Sequence, residues 1–321
     1  MAFPNVSDII ATTIERRSGK IADNVTKNNA ILAKLARKGK IRTVPGGRLI
    51  YEELAFAENP NSGWYSGYDV LPVSPGDVLS AAEFNWKQAA VPVVVSGLER
   101  LQNSGEDAII DLVSSRLDVA ESTMKNLISQ GAYSDGTGSG GKQLAGLDAA
   151  VPEDPTIGTY GNISRVNYNF WRSQVLSTGG VAAAATVQGF MNQMWAKCVR
   201  GMDRPDLILA DTNSWAAYMA SLQLLQRFTT PESASLGFPA VKYMDADVVL
   251  DGGIGGFATS QRMYFLNTDF IFFRPHADRY MVPLSPGKRY AVNQDADVQI
   301  LAFAGAMTSS GPQFCGRIRF V

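Results

Sequence analysis

The sequence predicts an α+β fold, and three observations support that prediction. In residues 104–131, apolar side chains recur every three or four positions, as they do along one face of a helix. In residues 45–97, two strand-like segments flank a loop dense in turn formers and aromatics. Beyond residue 204, short apolar strands alternate with loops and with one further helix. The expected parts are therefore one long helix, a large hairpin and a strand-rich second half.

The first 50 residues predict a basic helical arm. Residues 7–18 and 19–38 have helical spacing, and Gly39 ends the second helix. Residues 1–50 hold ten Lys/Arg and three Asp/Glu, although the whole chain has a net charge of −1. Such an arm suggests contact with a polyanion or with acidic faces of sibling subunits. Alternatively, the basic residues near residue 37 complement the carboxyl end of their own helix. Both interpretations stay open.

Residues 45–97 predict a long β-hairpin. Its strands are expected at residues 49–54 and 83–88. A loop of the intervening size is unusual in a compact domain, so we expect it to pack against another chain. Its aromatic residues could stack on a ligand, but such residues more often anchor protein interfaces. The aromatic residues in question are Trp64, Tyr65 and Tyr68.

The long helix is predicted to begin at its cap, Ser104, and to end just before Gly131. Residues 106–130 would span roughly 37 Å at 1.5 Å per residue. This is long for a globular helix and suggests a strut. Its apolar stripe is expected to pack on strands near residues 262–308. The stripe consists of Ile109, Val113, Leu117, Met124 and Leu127.

The second half of the chain predicts an α/β unit followed by returning strands. A glycine-rich flexible connector over residues 134–141 leads into it. Helices are expected at residues 184–200 and from Asp211 onward. Strands are expected at residues 207–210, 240–250, 262–266, 270–274, 296–308 and 313–320.

No residue pattern points to catalysis. The chain has one histidine, His276, and two cysteines, Cys198 and Cys315, which are too few for a zinc site or a disulfide scaffold. No Gly-x-Ser-x-Gly segment supplies a nucleophile that His276 could activate. We therefore expect no enzymatic activity and no cofactor. An α/β hydrolase that uses His276 is the alternative from a different class.

Metal, nucleotide and membrane sites are equally weakly indicated. Asp245 with Asp247, and Asp295 with Asp297, lack the further ligands of a convincing cation site, so solvated strand edges are the simpler interpretation. Residues 252–256 are rich in glycine but lack the spacing and the following helix of a dinucleotide loop. No apolar run approaches the length of a membrane span, so we expect no membrane partner.

Several short motifs follow the same order as the predicted parts. They are Gly146-Leu-Asp after the connector, residues 204–210 before an aromatic-bearing helix that ends in Gln226-Arg227, and residues 261–270, 293–297 and 305–308. Together with the order of arm, hairpin, long helix, connector, α/β unit and returning strands, they resemble the major capsid protein of tailed bacteriophages. That family has the Hong Kong 97-type fold. The similarity extends over nearly the whole chain from about residue 40.

The resemblance implies a structural role. Copies of the chain would join as hexamers and pentamers and close into an icosahedral shell around the phage DNA genome. Assembly would take place in the host cytoplasm, and the protein would reside in the virion. The extended loop with its three aromatics would lie across a neighbouring subunit. The implied parts are an N-terminal arm (1–44), the extended loop (45–97), the first part of a peripheral domain with its spine helix (98–180), an axial domain (181–260) and returning strands (261–321).

The resemblance also implies partners. These are a portal, a scaffolding protein, expected as a separate chain because no long assembly segment precedes the arm, and a decoration protein as an optional partner. Non-specific contact with packaged double-stranded DNA, or with the scaffold, would fall to basic residues of the arm. Those residues are Arg16, Arg17, Lys34, Arg37 and Lys38. An encapsulin-type compartment, which shares the fold and holds cargo enzymes, is the close alternative.

Overall fold

Two β-sheets and a long helix organise the chain, and the predicted α+β class is confirmed. The computed structural model describes residues 29–97, 106–222, 240–252, 256–284, 289–290 and 296–321. For residues 106–115, 240, 289–290 and 296–297 the description covers the backbone alone. Among the described residues, no helix combines the length and the apolar character that crossing a membrane requires.

Helix α1 (Ala30–Arg37) begins where it does because Asn29 caps it. The Asn29 side chain accepts two backbone N–H groups of the first turn, at 3.1 and 3.3 Å, from an extended backbone. The prediction of one helix over residues 19–38 is therefore wrong at Asn29. The helix predicted at residues 7–18 lies outside the described residues. Gly39, with φ +65°, follows the helix as predicted.

The predicted hairpin is present, but its second predicted strand is two strands. Strand β1 (Ile50–Ala55) pairs antiparallel with β2 (Leu79–Phe84). The chain then turns at Asn85 and Trp86, and β3 (Lys87–Ser96) leaves the hairpin for a different sheet. A single strand over residues 83–88 is therefore wrong.

An antiparallel sheet forms around the longest strand, β13 (Ala296–Ser309). Strand β3 pairs with one edge of β13, and β11 (Ile271–Pro283) and β12 (Arg289–Tyr290) pair with the other. Residues 41–44 run parallel to β11 through N–H groups that β11 carbonyls accept at 2.9 and 3.1 Å. The arm is thus joined to the body by backbone hydrogen bonds as well as by α1.

The long helix α2 (Glu106–Tyr133) is confirmed, but it packs differently from the prediction. Its buried apolar side chains include Leu117, Ala120, Met124 and Ile128, and it lies chiefly against β3. Leu127 is 42% exposed, so its place in the predicted stripe is wrong. The side chains of Ile109 and Val113, and the predicted cap Ser104, lie outside the described residues. Gly131 falls inside the helix rather than after it.

The predicted flexible connector is a closed loop. Gly146 donates its N–H to the carbonyl of Ser134 at 2.9 Å, which brings the two ends of the loop together. A Cβ at Gly146 would collide with the Ala132 carbonyl, so only glycine permits this approach. Short elements surround the closure: α3 (Gly138–Gly141), α4 (Leu147–Ala150), β4 (Thr159–Tyr160) and β5 (Ile163–Ser164).

A six-stranded mixed sheet forms the rest of the fold. In spatial order its strands are β6 (Gln174–Thr178), β14 (Gly316–Phe320), β10 (Arg262–Leu266), β7 (Leu207–Ala210), β9 (Ala246–Leu250) and β8 (Ala240–Tyr243). Helices α5 (Val187–Cys198) and α6 (Thr212–Ser221) pack on it. The single strand predicted over residues 240–250 is a hairpin that turns at Met244, where φ is +51°.

The mixed sheet separates two apolar cores. On β7, Leu207 and Leu209 belong to the core that also contains α2 and the antiparallel sheet, whereas Ile208 belongs to the core under α5 and α6. On β10 the same alternation places Tyr264 on the first side and Phe265 on the second. A strand buried on both faces reads as a continuous apolar run, which is why these strands were predictable.

One buried carboxylate ties the end of α2 to this sheet and predicts a pH dependence. The hydroxyl of Tyr133 donates to Asp251, and burial raises the pKa of the Asp251 carboxyl above its usual range. The folded state therefore binds the proton more tightly than the unfolded state. The stabilisation of the folded state by this proton on Asp251 is complete below the ordinary carboxyl pKa of about 4. It is lost as the pH rises through the pKa that Asp251 has in the folded state.

We expect the Asp251→Asn variant to become more stable relative to wild type as the pH rises from about 4 to neutrality, by about 1.4 kcal/mol per unit of pKa shift. The asparagine keeps an acceptor for Tyr133 and carries no buried charge. Urea unfolding of both proteins at a series of pH values measures the difference. A difference that does not change with pH would contradict the assignment.

Candidate subunit interface

The tip of the hairpin, residues 59–76, carries the aromatic residues that the sequence singled out. Trp64 and Tyr68 are fully exposed, and Tyr65 is 69% exposed. The neighbouring Val70 and Val73 are more than nine-tenths exposed as well. Exposed apolar side chains in such number on one segment are typical of interaction surfaces, so the tip is a candidate for one.

Short local contacts give the tip its shape. Ser66 donates its N–H to the Asp69 carboxylate at 2.7 Å, and Asp69 returns its N–H to the Ser66 carbonyl at 2.8 Å. Further back, the Asn61 side chain donates to the Ser74 carbonyl across the loop. The two sides of the loop therefore meet below the aromatics, and the turn formers of the sequence explain why.

The charge of the tip favours a protein partner over nucleic acid. Residues 55–78 contain Glu58, Asp69 and Asp77 and no lysine or arginine. Surfaces that bind single strands combine stacking aromatics with basic residues that follow the phosphates. Trp64, Tyr65 and Tyr68 lack such basic neighbours along the hairpin. The geometry thus supports the interface interpretation of these aromatics over stacking on a nucleic acid.

The root of the hairpin is fixed to the antiparallel sheet. Glu52 of β1 is 5% exposed and accepts two bonds from Arg274 of β11, Nε to Oε1 at 2.6 Å and Nη2 to Oε2 at 2.9 Å. Thr308 of β13 donates its hydroxyl to the same Oε1 at 2.7 Å. No local sequence pattern indicates this contact, because Arg274 lies 222 positions and Thr308 lies 256 positions beyond Glu52 in the chain.

The arm lysines are paired with aspartates of the same chain. The three lysines are Lys34, Lys38 and Lys40, and the three aspartates are Asp206, Asp247 and Asp269. Lys34 Nζ lies 2.8 Å from Asp247 Oδ2, and Lys38 Nζ lies 3.1 Å from Asp206 Oδ2. These pairs join α1 to the mixed sheet, an arrangement that neither sequence interpretation of the arm contained. Arg16 and Arg17 lie outside the described residues.

Ion pairs explain the two carboxylates of one candidate cation site, Asp245 and Asp247. Asp247 faces Lys34, and Asp245 pairs with Arg204 at 2.5 Å, so both carboxylates have cationic side chains beside them. Among the described residues, no cluster of three metal-ligating side chains occurs. Asp295 lies outside the described residues, and of Asp297 the backbone alone is described.

Neither His276 nor the two cysteines line the cavity at the root of the hairpin. The His276 ring packs on Trp86 at 5.2 Å and its Nδ1 accepts the Asp278 N–H at 3.1 Å. Burial raises the pKa of the Cys315 thiol to about 12 and raises that of Cys198 as well, which keeps both protonated. The cavity, about 550 Å³, is lined by none of these three residues. This geometry gives the hydrolase alternative no support.

A partly buried cluster of charged side chains on the mixed sheet has no counterpart among the sequence predictions. Asp148 of α4 accepts bonds from Arg317 Nη1 at 2.9 Å, from the Tyr264 hydroxyl at 2.7 Å and from Arg262 Nη1 at 2.9 Å. Arg317 is fully buried. In the sequence, Asp148 belongs to the Gly146-Leu-Asp motif, which carries no sign of this role. Its aspartate is the link between the connector and the strands β10 and β14.

Solved structures share this fold, although neither a protein-family profile nor a curated protein matches the sequence. A chain of the cyanophage A-1(L) capsid aligns with a TM-score of 0.65 at 17% identity, covering 88% of this chain and 90% of that chain. A chain from the capsid of the native GTA particle aligns with a TM-score of 0.59 at 12% identity, covering 90% of each. This chain has the fold of a phage capsid protein. The resemblance inferred from the order of motifs is confirmed at the level of the fold.

An encapsulin shows the same fold at a greater distance. The SrpI encapsulin complex from Synechococcus elongatus PCC 7942 aligns with a TM-score of 0.51 at 9% identity, covering 89% of this chain and 86% of that chain. The capsid fold is therefore shared with a protein compartment. The two chains from the cyanophage A-1(L) and GTA capsids match this chain with a higher TM-score and a higher identity.

Proposed function

We propose that this chain is the major capsid protein of a tailed bacteriophage, a structural protein of the virion rather than an enzyme. Its copies join as hexamers and pentamers into an icosahedral shell that encloses double-stranded DNA. The observation that carries the proposal is the hairpin tip in a capsid fold. Trp64, Tyr65 and Tyr68 are exposed on a segment that a single chain leaves uncovered, and a neighbouring copy supplies the cover.

The parts of the fold then take the roles of the Hong Kong 97-type subunit. Helix α2 is the spine of the peripheral domain (98–180), and the hairpin belongs to the extended loop (45–97). Helices α5 and α6 with their strands form the axial domain (181–260), and residues 261–321 return to complete both. The mixed sheet is buried on both faces, with a different apolar core on each side. This supports the assignment, because the sheet then forms the boundary between the two domains.

The arm (1–44) faces the interior in this proposal, where it meets DNA or a scaffolding protein. Lys34 and Lys38 already have aspartate partners in the same chain. The residues proposed for the contact with DNA or scaffold are Arg16, Arg17, Lys34, Arg37 and Lys38. A portal, a separate scaffolding protein and an optional decoration protein complete the particle, which assembles in the host cytoplasm.

Negative-stain microscopy tests the proposal. The chain is expressed alone and together with the genes that neighbour its own, and the purified material is imaged. We expect closed shells, or hexameric capsomers from the chain alone. A stable monomer without particles under every condition would contradict capsid assembly. The encapsulin alternative, supported by the SrpI similarity, predicts particles that hold protein cargo instead of nucleic acid, which nuclease treatment and gel analysis of the contents distinguish.

A further inference from the structure

The contact between the hairpin and the body combines two kinds of interaction. Ile50 and Leu54 of β1 are buried apolar residues of the core. Between them, on the same face of the strand, lies the buried carboxylate of Glu52, with Arg274 and Thr308 around it. A third apolar residue at this position would complete an ordinary packed face. The ion pair therefore calls for a reason beyond burial.

The ion pair between Glu52 and Arg274 fixes the orientation of β1 on the sheet, which apolar contacts alone do not. Apolar contacts are non-directional, so a strand held by them alone can slide or rotate on the sheet beneath it. An arginine that donates two parallel bonds to one carboxylate fixes both distance and angle. Arg274 is itself held, because its guanidinium lies 4.8 Å from the centre of the Phe272 ring. The contact thus fixes β1 against two strands, β11 and β13.

The length of the hairpin makes its direction matter at the tip. The chain from Glu52 to Trp64 can extend to about 40 Å at most. Over that length, a rotation of about 10° at the root displaces the tip by up to about 7 Å. A shift of this size exceeds the close contact distance that packed apolar side chains need, about 4 Å. The root must therefore be held in one orientation for the tip to meet a fixed partner surface.

We propose that Glu52, Arg274 and Thr308 are positioning residues that set the direction of the hairpin and, through it, the angle at which neighbouring copies join. The three residues are called the root clamp. The inference rests on the proposed function, since the consequence for the particle requires that copies assemble through the hairpin. Its structural half, the fixed direction of the hairpin, holds for the single chain and can be measured there.

The decisive variant removes the polar contacts of the root clamp and keeps three buried side chains of similar size in their place. Glu52→Leu, Arg274→Met and Thr308→Val together replace the ionic contact with apolar side chains of similar size, a change that often leaves stability unaltered or raised. We expect a subunit that unfolds at nearly the wild-type temperature but forms particles of several sizes and open sheets. Arg274→Lys, which keeps the charge and loses the two-point fork, should shift particles in the same direction. As a matched control, Arg204→Met with Asp245→Leu removes an exposed ion pair of the mixed sheet and should leave the particle size unchanged.

A distance measurement on the single chain tests the structural half. Spin labels are attached at Ser66→Cys on the tip and Met202→Cys on the body, both exposed positions, while the native cysteines are buried. Pulsed electron paramagnetic resonance should give a narrow distance distribution with the clamp intact and a clearly broader or shifted one in the apolar variant and in Arg274→Lys. Unchanged distributions in folded variants would overturn the inference. So would uniform particles of wild-type size from the apolar variant. Absence of any particle from the wild-type chain would instead count against the proposed function and leave the distance test decisive.

Discussion

Truncating Trp64, Tyr65 and Tyr68 to alanine is expected to give a folded subunit that no longer assembles. Aromatic anchors at the centre of an interface typically cost 2 kcal/mol or more each when truncated. Each such loss raises the subunit concentration needed for assembly by about tenfold or more. The same change should alter the free energy of unfolding by less than about 0.5 kcal/mol, because exposed side chains away from the core contribute little to it. Light scattering against subunit concentration and urea unfolding measure the two quantities.

A conservative variant tests whether assembly is lost because apolar area is removed or because the loop is mutated at all. Replacing the same three residues by phenylalanine keeps an aromatic ring at each position and most of the apolar area, and removes the indole N–H and the two hydroxyls. This variant should assemble at a concentration near that of wild type. If the alanine variant assembled as readily as the phenylalanine variant, the tip would not be the interface. Deleting residues 59–68 gives an independent check, since it should also leave a folded subunit that cannot close shells.

The sequence predicted those parts of the fold that local patterns determine. Turn formers between two strand-like segments predicted the hairpin, and apolar runs predicted strands buried on both faces, such as Leu207–Ala210. The end of the long helical stripe was missed because both Leu127 and Ile128 lie close to the helical period after Met124. Packing against β3 determines that Ile128 is buried and Leu127 is not. The sequence predicts residues of β3 as part of the hairpin, whereas the strand pairs with β13.

The arm shows why a charge count misleads without the fold. Residues 1–28 carry four Lys/Arg and three Asp/Glu, whereas residues 29–50 carry six Lys/Arg and no acid. Most of the basic excess thus belongs to the described part of the arm. Lys34, Lys38 and Lys40 meet aspartates that lie at residues 206–269, a separation that no local pattern reports. Three of the six basic residues in this part of the arm are therefore paired with acids of their own chain.

Replacing Asp148 by asparagine is expected to cost about 3–5 kcal/mol of unfolding free energy, the usual cost of removing one partner from a buried ion pair. Arg317 is fully buried, and among the described residues its Nε and Nη2 have no hydrogen-bond partner. Its bond to Asp148 is therefore the compensation that the structure shows for this charge. An asparagine also places an N–H₂ donor next to one of the arginine donors that the carboxylate now accepts.

Two further variants make the Asp148 prediction specific, with urea unfolding as the measurement. Asp245→Asn removes a carboxylate from an exposed pair with Arg204, and its cost should stay below about 1 kcal/mol. Asp148→Leu combined with Arg317→Met removes both buried charges at once and should recover much of the lost stability, because no unpaired buried charge remains between them. Equal costs for Asp148→Asn and Asp245→Asn would show that the cluster is no more than a set of surface pairs. A recovered double variant would instead establish that the cost of the single change is the stranded charge of Arg317.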